Sequence, residues 1–252
     1  RIIPSLLINR DKLIKTKKFT DERYVGDILN AVKIFNDKKV DELLIIDKSI
    51  KTSNDGPNYD LIKNLSSEVF IPLTYGGGIR NIDEAYRLFK IGIEKISIQK
   101  TFFDKFENLR NFVKNFGSSS ILLSIDIIVK NNIYLIFDSK TKKHLDLNIN
   151  DTINRAIDCG VGEILVNIVN LDGTLKGPDL NIINHMPKVN IPIIYQGGIN
   201  SVRDIIAVLK NGFHSVAIGS LFIFYGKYNS VLISYINETE RLMINNNISI
   251  NV

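Results

Sequence analysis

Short apolar runs alternate with longer amphipathic segments along this chain. The runs are rich in β-branched residues, as buried strands of a parallel sheet are, and the segments between them place apolar residues at helical spacing. This alternation predicts parallel strands joined by crossover helices. The eight predicted strands are Ile2–Ile8, Glu42–Asp47, Val69–Tyr75, Lys95–Gln99, Ile121–Ile127, Glu163–Ile168, Ile191–Tyr195 and Ser215–Gly219.

Helix signals fall between these runs. Amphipathic segments at Val25–Asn36 and Asp83–Lys90 predict two of the helices, and Ser201 with Asp204 three residues later has the pattern of a capped helix start. The α/β character of the chain therefore extends over its whole length.

An internal repeat organises the chain. The segment Ile71–Ile79 recurs as Ile191–Ile199, an offset of 120 residues, and the same offset pairs Gly92 with Gly212. A period near half the chain indicates two copies of a (β/α)4 unit, which close naturally into one (β/α)8 TIM barrel. Two separate domains are disfavoured because neither half could cover its own sheet edges. We therefore expect residues 1–252 to form a single barrel domain made of two similar half-barrels.

Composition excludes several classes of function. The chain has 252 residues, 44% of them hydrophobic, and its 32 Lys and Arg against 27 Asp and Glu give a net charge of only +5. This charge is too small and too scattered to indicate nucleic-acid binding. The short basic runs Lys15–Lys18 and Lys140–Lys143 are interpreted as solvated loops or as rims that attract phosphate.

Cysteine, histidine and hydropathy give further expectations. Cys159 is the only cysteine and ends a predicted helix, which favours a buried small residue over a nucleophile. His144, His185 and His214 lack metal-ligand spacing, so we expect neither a metal nor a cofactor. No apolar run approaches the roughly 20 residues of a membrane span. We expect a cytoplasmic protein without membrane contact.

Glycine clusters follow two predicted strands at matched positions of the repeat. Backbone N–H groups can approach an anion closely at such turns, and a helix amino terminus adds to the attraction. The alternative is that these glycines only make tight turns between strands and helices. Their matched positions favour two phosphate sites on opposite sides of the barrel mouth, formed by Gly77, Gly78, Gly197, Gly198, Gly219 and Ser220.

Strand-end side chains are the other candidates for chemistry, because reactive groups in such barrels lie at the carboxyl ends of strands. Asp126 follows a buried apolar run, and a functional role is favoured over a loop cap because an uncompensated carboxylate there would be costly. Asp47 receives a similar but weaker interpretation. The same rule places Leu7, Gln99 and Asn167 at the mouth.

Motifs along nearly the whole chain carry a family resemblance. They are Arg1–Pro4, Asp41–Leu43, Asp47, Phe70–Thr74, Gly76–Arg80, Lys95–Ile98, Ile125–Asp126, Gly162–Leu165, Asp172–Thr174 and Gly197–Gly198. In this combination the chain resembles the cyclase subunit of imidazole glycerol phosphate synthase. The resemblance implies that ammonia made by a glutaminase subunit travels along the barrel axis and joins a bisphosphorylated ribulosyl substrate.

The chain departs from the family pattern at the mouth. The resemblance implies acid/base catalysis by two Asp residues, at the ends of the first and fifth strands. Asp126 corresponds to the second, but the first falls on Leu7, which cannot exchange a proton. Asp11 or Lys15, the latter matching a family Lys, are the candidates for a substitute. Gln99 and Asn167 also differ from the family pattern. These changes indicate that the chemistry at the mouth differs from that of the family.

The opposite end of the barrel retains the family pattern. The resemblance implies an ammonia gate formed by Arg1, Glu42, Lys95 and Glu163. Two cations and two anions converging on a barrel axis are not needed for folding, since an apolar plug would close the end at less cost. Their retention beside a lost Asp indicates that a docked glutaminase still delivers ammonia.

Three functions follow as alternatives. The favoured hypothesis is an ammonia-conducting subunit, in a heterodimer with a class I glutaminase, that passes ammonia to a third protein. It resembles paralogues that accompany sugar amidotransferases, which convert acetamido to acetamidino groups in bacterial surface glycans. The second hypothesis is a true cyclase of histidine biosynthesis, and the third is a scaffold without ammonia traffic.

Overall fold

The strands of the computed structural model lie close to the predicted runs. The structure describes residues 1–50 and 56–248. Its strands are β1 Ile2–Asn9, β2 Lys12–Lys17, β3 Thr20–Asp27, β4 Leu43–Asp47, β5 Leu73–Gly76, β6 Lys95–Ile98, β7 Ile121–Lys130, β8 Ile133–Asp138, β9 Lys143–His144, β10 Glu163–Ile168, β11 Ile193–Gln196, β12 Ser215–Ile218, β13 Phe224–Tyr225 and β14 Ser230–Val231.

Helices follow the barrel strands on its outer surface. The α-helices are α1 Ile28–Asp37, α2 Tyr59–Ser67, α3 Ile82–Lys90, α4 Lys100–Asp104, α5 Glu107–Phe116, α6 Ile149–Asp158, α7 Val202–Lys210, α8 Ser220–Ile223 and α9 Glu238–Ile248. Two 3-10 helices occupy Ser118–Ser120 and Leu180–His185. Within the described ranges, no helix combines the length and the apolar character needed to cross a membrane.

Eight parallel strands close into a barrel. Their order around it is β1, β4, β5, β6, β7, β10, β11 and β12, and β12 pairs again with β1. The helices bury the outer faces of the strands in one large apolar core. This closure confirms the predicted (β/α)8 barrel, in which strand carboxyl ends share one face and amino ends the other.

The two halves of the barrel share local geometry at repeat positions. Gly77 and Gly197 have φ values of 133° and 126°, and a Cβ on either would lie within 3 Å of a backbone carbonyl oxygen. Asn81 and Ser201 cap α3 and α7 in the same way, each accepting a hydrogen bond from the backbone N–H three residues later. The repeat is therefore expressed as matched turns and caps.

Antiparallel hairpins depart from the predicted pattern, among them β8 with β9 and β13 with β14. β2 and β3 form an antiparallel extension of β1, and β8 pairs antiparallel with β7.

The predicted helix at Val25–Asn36 is wrong at its start, because Val25 belongs to β3 and α1 begins at Ile28 after the Asp27 cap. The interpretation of Lys15–Lys18 as a solvated loop is also wrong in part, since Lys15 lies buried in β2. The strand predicted from Val69 begins only at Leu73.

Candidate functional site

The Asp126 carboxylate lies buried at the barrel mouth between two amide donors. Gln99 Nε2 donates to its Oδ2 and Asn167 Nδ2 donates to its Oδ1, each at 2.8 Å. Burial raises the pKa of Asp126 to about 6, although both amide hydrogen bonds act in the opposite direction. A carboxyl group with this pKa can exchange a proton near neutral pH.

The end of the first strand provides no second carboxyl group. Leu7 is half-buried and pairs with Ile46 of β4 and Ile14 of β2. Lys15, the candidate substitute, is 6% exposed, and its Nζ lies 3.7 Å from Asp172 Oδ1. The Lys15 ammonium group is thus held in an ion pair, and Asp11 lies in the exposed turn that precedes β2.

The predicted phosphate residues of the second half-barrel share one cleft. Gly197, Gly198, Gly219 and Ser220 line it, and a Cβ placed on Gly219 would lie 2.5 Å from Lys15 Nζ. The Ser220 hydroxyl is buried and has no hydrogen-bond partner within the described residues. Backbone at a glycine turn, the Ser220 hydroxyl and the Lys15 ammonium group can attract an anion. The Asp172 carboxylate, which pairs with Lys15, lines the same cleft and would have to give up this pairing to an anion.

The glycine pair of the first half-barrel has a different environment. A Cβ on Gly78 would lie 3.0 Å from the Ile50 side chain, so this turn faces an apolar group. Lys100 forms an ion pair with Asp104 at the surface. The Asp47 carboxylate accepts hydrogen bonds from Ser49 and Tyr75, including one of 3.2 Å from the Tyr75 hydroxyl.

Four charged side chains form a closed ring at the opposite end of the barrel. Arg1 contacts Glu42 at 2.7 Å and Glu163 at 2.5 Å. Lys95 contacts the same two carboxylates at 3.2 and 2.7 Å. Glu42 also accepts a hydrogen bond of 2.7 Å from the Thr74 hydroxyl. Each cation thus bridges both anions, and the ring spans four different strand ends.

An apolar layer separates this ring from the mouth. Its side chains form a small cluster inside the barrel, distinct from the core under the helices. They are Ile3, Leu44, Leu122, Leu165, Ile194 and Ala217, with Ile46 packed against them. The barrel interior is therefore charged at one end, apolar in the middle and polar at the mouth.

Comparison with known proteins agrees with this geometry. A family model described as "Histidine biosynthesis protein" matches residues 1–229. The chain belongs to this family. It is 36% identical over 245 residues to "Putative imidazole glycerol phosphate synthase subunit HisF" of Leptospira interrogans, covering 96% of each chain. It is 37% identical over 240 residues to "Putative imidazole glycerol phosphate synthase subunit hisF2" of Pseudomonas aeruginosa, covering 93% of this chain and 95% of the relative.

A more distant relative carries the same subunit name without the word "Putative". "Imidazole glycerol phosphate synthase subunit HisF" of Helicobacter hepaticus is 31% identical over 223 residues, covering 88% of this chain and 89% of the relative. The chain is thus a HisF-like barrel of the histidine biosynthesis family, which supports the predicted family. The names of these relatives describe enzyme subunits and do not mention sugar modification.

Some site residues were missed or misread from the sequence. Gln99 and Asn167 were identified as departures from the family pattern, but not as the partners of Asp126. Gln196, whose side-chain oxygen is buried without a donor among the described residues, received no role. These contacts depend on strand register, which the sequence pattern did not show: Asn167 pairs in register with both Asp126 and Gln196.

Proposed function

We propose that this chain is the ammonia-conducting barrel subunit of a glutamine-dependent amidotransferase in the cytoplasm. A class I glutaminase docks on the face that holds the charged ring, and ammonia enters through the ring. It crosses the apolar layer as a neutral molecule and leaves at the mouth. The single observation that carries the proposal is the closed ring of Arg1, Glu42, Lys95 and Glu163.

The energetics of this ring support a role beyond folding. Placing four charges at a strand end removes them from water, and well-packed apolar side chains of similar volume are often equally or more stabilising. The Glu42 side chain is only 4% exposed, whereas that of Arg1 is 33% exposed. A movement of Arg1 toward solvent would open one side of the ring while Lys95 still bridges both carboxylates.

The acceptor belongs to a third protein in this proposal. It is an acetamido sugar of a bacterial surface glycan, which a sugar amidotransferase converts to the acetamidino form. Support comes from the mouth, where Leu7 leaves Asp126 without a second carboxyl group at the end of β1. Two-carboxylate acid/base catalysis cannot operate with these residues, so the acceptor chemistry is assigned elsewhere.

Cyclase activity is the second candidate function, and one observation favours it. Asp126 is buried with a pKa raised to about 6, as an acid/base catalyst requires. Lys15 would then have to provide the second proton-transfer group. Lys15 is instead buried in an ion pair with Asp172, which occupies its ammonium group, and this contact makes cyclase activity the weaker proposal.

The proposed function is tested by comparing two nitrogen sources in one reconstituted complex. The chain, its cognate glutaminase and the sugar amidotransferase are assayed by mass spectrometry for acetamidino product, first with glutamine and then with ammonium chloride. We expect Lys95→Ala to leave the complex assembled but to lower the glutamine-dependent rate relative to the ammonia-dependent rate. The mutation removes one of the two cations that bridge Glu42 and Glu163.

Lys188→Ala is the matched control, because Lys188 is exposed on the loop that leads into β11 on the same face. It should leave both rates unchanged. If Lys95→Ala lowers neither rate, or lowers both equally, the ring is structural and the conduit proposal fails. Formation of imidazole glycerol phosphate at a normal enzymatic rate would instead identify the cyclase.

A further inference from the structure

The start of β1, next to the charged ring, is held by side chains from two other parts of the chain. The pairing of β1 with β4 begins only at Ser5, so the backbone groups of Ile2 lie beyond it. The Ile2 N–H donates to Asp41 Oδ2 at 2.8 Å, and the Ile2 carbonyl oxygen accepts from the Tyr235 hydroxyl at the same distance. Asp41 and Tyr235 thus satisfy the backbone of the residue that directly follows Arg1.

Arg241, in the first turn of α9, contacts both of these side chains. Its Nη1 donates to Asp41 Oδ1 at 2.9 Å, and its Nη2 donates to the Tyr235 hydroxyl oxygen at 3.5 Å. The Tyr235 ring packs against that of Phe222, with 5.1 Å between the ring centroids. One guanidinium group of the C-terminal helix therefore connects the two groups that hold Ile2.

This arrangement adjoins two members of the charged ring. Ile2 follows Arg1 and Asp41 precedes Glu42, and the Arg1 and Glu42 side chains contact each other at 2.7 Å. The hydrogen bond from Ile2 to Asp41 therefore fixes the two backbone segments from which this ring contact is made. The Arg1 side chain is 33% exposed, whereas those of the other three ring residues are at most 12% exposed. The arrangement thus acts on the ring member with the most freedom to move.

Charge gives Arg241 a second effect on the ring. Two cations balance two anions there, and Asp41 places a further carboxylate one residue from Glu42. Arg241 pairs with this carboxylate, which is then not available as an alternative partner for Arg1. The Arg241 and Asp41 side chains are 39% and 24% exposed, so their ion pair contributes little to folding, and its removal should leave the barrel folded.

We propose that Arg241 is a positioning residue for the charged ring. Through Asp41 and Tyr235 it fixes the start of β1 and keeps the Arg1 side chain between the two ring carboxylates. The C-terminal helix thereby holds the ring closed. The effect on ammonia transfer rests on the proposed function, whereas the positioning of Arg1 is a property of the isolated chain.

The position of Arg1 is tested by NMR on the isolated 15N-labelled chain. Arg1 Nε donates to Ser215 Oγ at 3.3 Å, so hydrogen exchange of this N–H with water reports whether the side chain stays in the ring. The signal is assigned by its loss in Arg1→Lys. We expect Arg241→Met to raise its exchange rate about two- to fivefold, the range for a partly exposed ion pair, while the amide signals of the barrel strands stay unchanged.

Three further variants separate positioning from general loosening of α9. Lys210→Met is the matched control, because Lys210 Nζ contacts Asn247 Oδ1 at 3.4 Å near the other end of the helix. It should leave the Arg1 exchange rate unchanged. Arg241→Lys retains a cation beside Asp41 and should restore most of the slow exchange. Tyr235→Phe removes only the hydroxyl that holds Ile2 and should raise the rate, which gives a second test if Arg241→Met does not fold.

The consequence for transfer is measured in the reconstituted complex with the two nitrogen sources. Arg241→Met should lower the glutamine-dependent rate relative to the ammonia-dependent rate about two- to fivefold, with glutaminase binding unchanged. The physical reason is that a displaced Arg1 leaves only Lys95 to bridge the two carboxylates.

An unchanged Arg1 exchange rate in Arg241→Met and Tyr235→Phe, or an equal rise in Lys210→Met, overturns the positioning role. This result would leave the conduit proposal intact, because the Lys95→Ala comparison does not depend on Arg241. Faster Arg1 exchange with an unchanged ratio of the two rates would instead support the positioning of Arg1 and count against the conduit.

Discussion

Replacement of Asp126 by Asn should stabilise the protein at alkaline pH and not at acid pH. Burial raises the pKa of this carboxyl group from its ordinary value of 3.8 to about 6. A difference of roughly two pKa units corresponds to about 3 kcal/mol of unfavourable free energy for the ionised form in the folded state. Asn carries no charge and does not incur this cost.

The pH window follows from the direction of the shift. The folded protein binds the Asp126 proton more tightly than the unfolded chain does, so wild-type stability from this group is fully present below about pH 4. It falls as the pH rises through about 6, where the folded carboxyl group ionises. The stability difference between Asp126→Asn and wild type should therefore shift in favour of the variant by up to about 3 kcal/mol between pH 4 and pH 8.

Lost hydrogen bonds reduce the net gain but not the shift with pH. Gln99 and Asn167 both donate to Asp126, and an Asn side chain has only one acceptor oxygen. One unpaired donor costs about 1 kcal/mol at either pH, so the net gain at pH 8 should be about 2 kcal/mol.

Urea unfolding at several pH values measures this difference. Asp158→Asn is the control, because Asp158 is exposed at the end of α6 and its replacement removes one carboxylate from the surface. A difference between Asp126→Asn and wild type that stays constant from pH 4 to pH 8 would refute the reasoning. Such a result would mean that folding does not raise the pKa of Asp126.

Two further predictions concern the mouth. Sulfate should bind beside Gly198 and Ser220. Lys15→Met should weaken sulfate binding, measured by calorimetry, at least about tenfold, because Lys15 is the cation beside that turn. Equal affinity of the variant and the wild-type chain would exclude a role of Lys15 in anion binding. With free ammonia and the bisphosphorylated cyclase substrate, turnover should be about 10² to 10⁴ times slower than in a two-carboxylate cyclase. Leu7→Asp should recover only a small part of the cyclase rate, because the Asp126 carboxylate already accepts a hydrogen bond from Gln99. A normal cyclase rate in the wild-type chain would contradict this prediction.

The sequence by itself determined the barrel and its repeat. Strands of buried β-branched residues and helices of 3.6-residue period are local patterns, so their order could be read without knowing any long-range contact. The 120-residue offset predicted matched turns, and Gly77 and Gly197 have nearly the same φ value. The family resemblance identified the four ring residues. Their positions at or just before strand starts then predicted that they share one face, because the amino ends of the barrel strands lie together.

The tertiary structure alone decided which side chains meet at the mouth. Lys15 reaches Gly219 only because the β2–β3 hairpin folds back on β1, and its charged residues conceal the strand pattern from hydrophobic periodicity. The amides that bind Asp126 depend on the register of β7 with two strands, β10 for Asn167 and β6 for Gln99, and a pattern of apolar positions encodes neither register. A strand's sequence shows which of its side chains point inward, but the partner of each depends on how the neighbouring strands are shifted when the barrel closes.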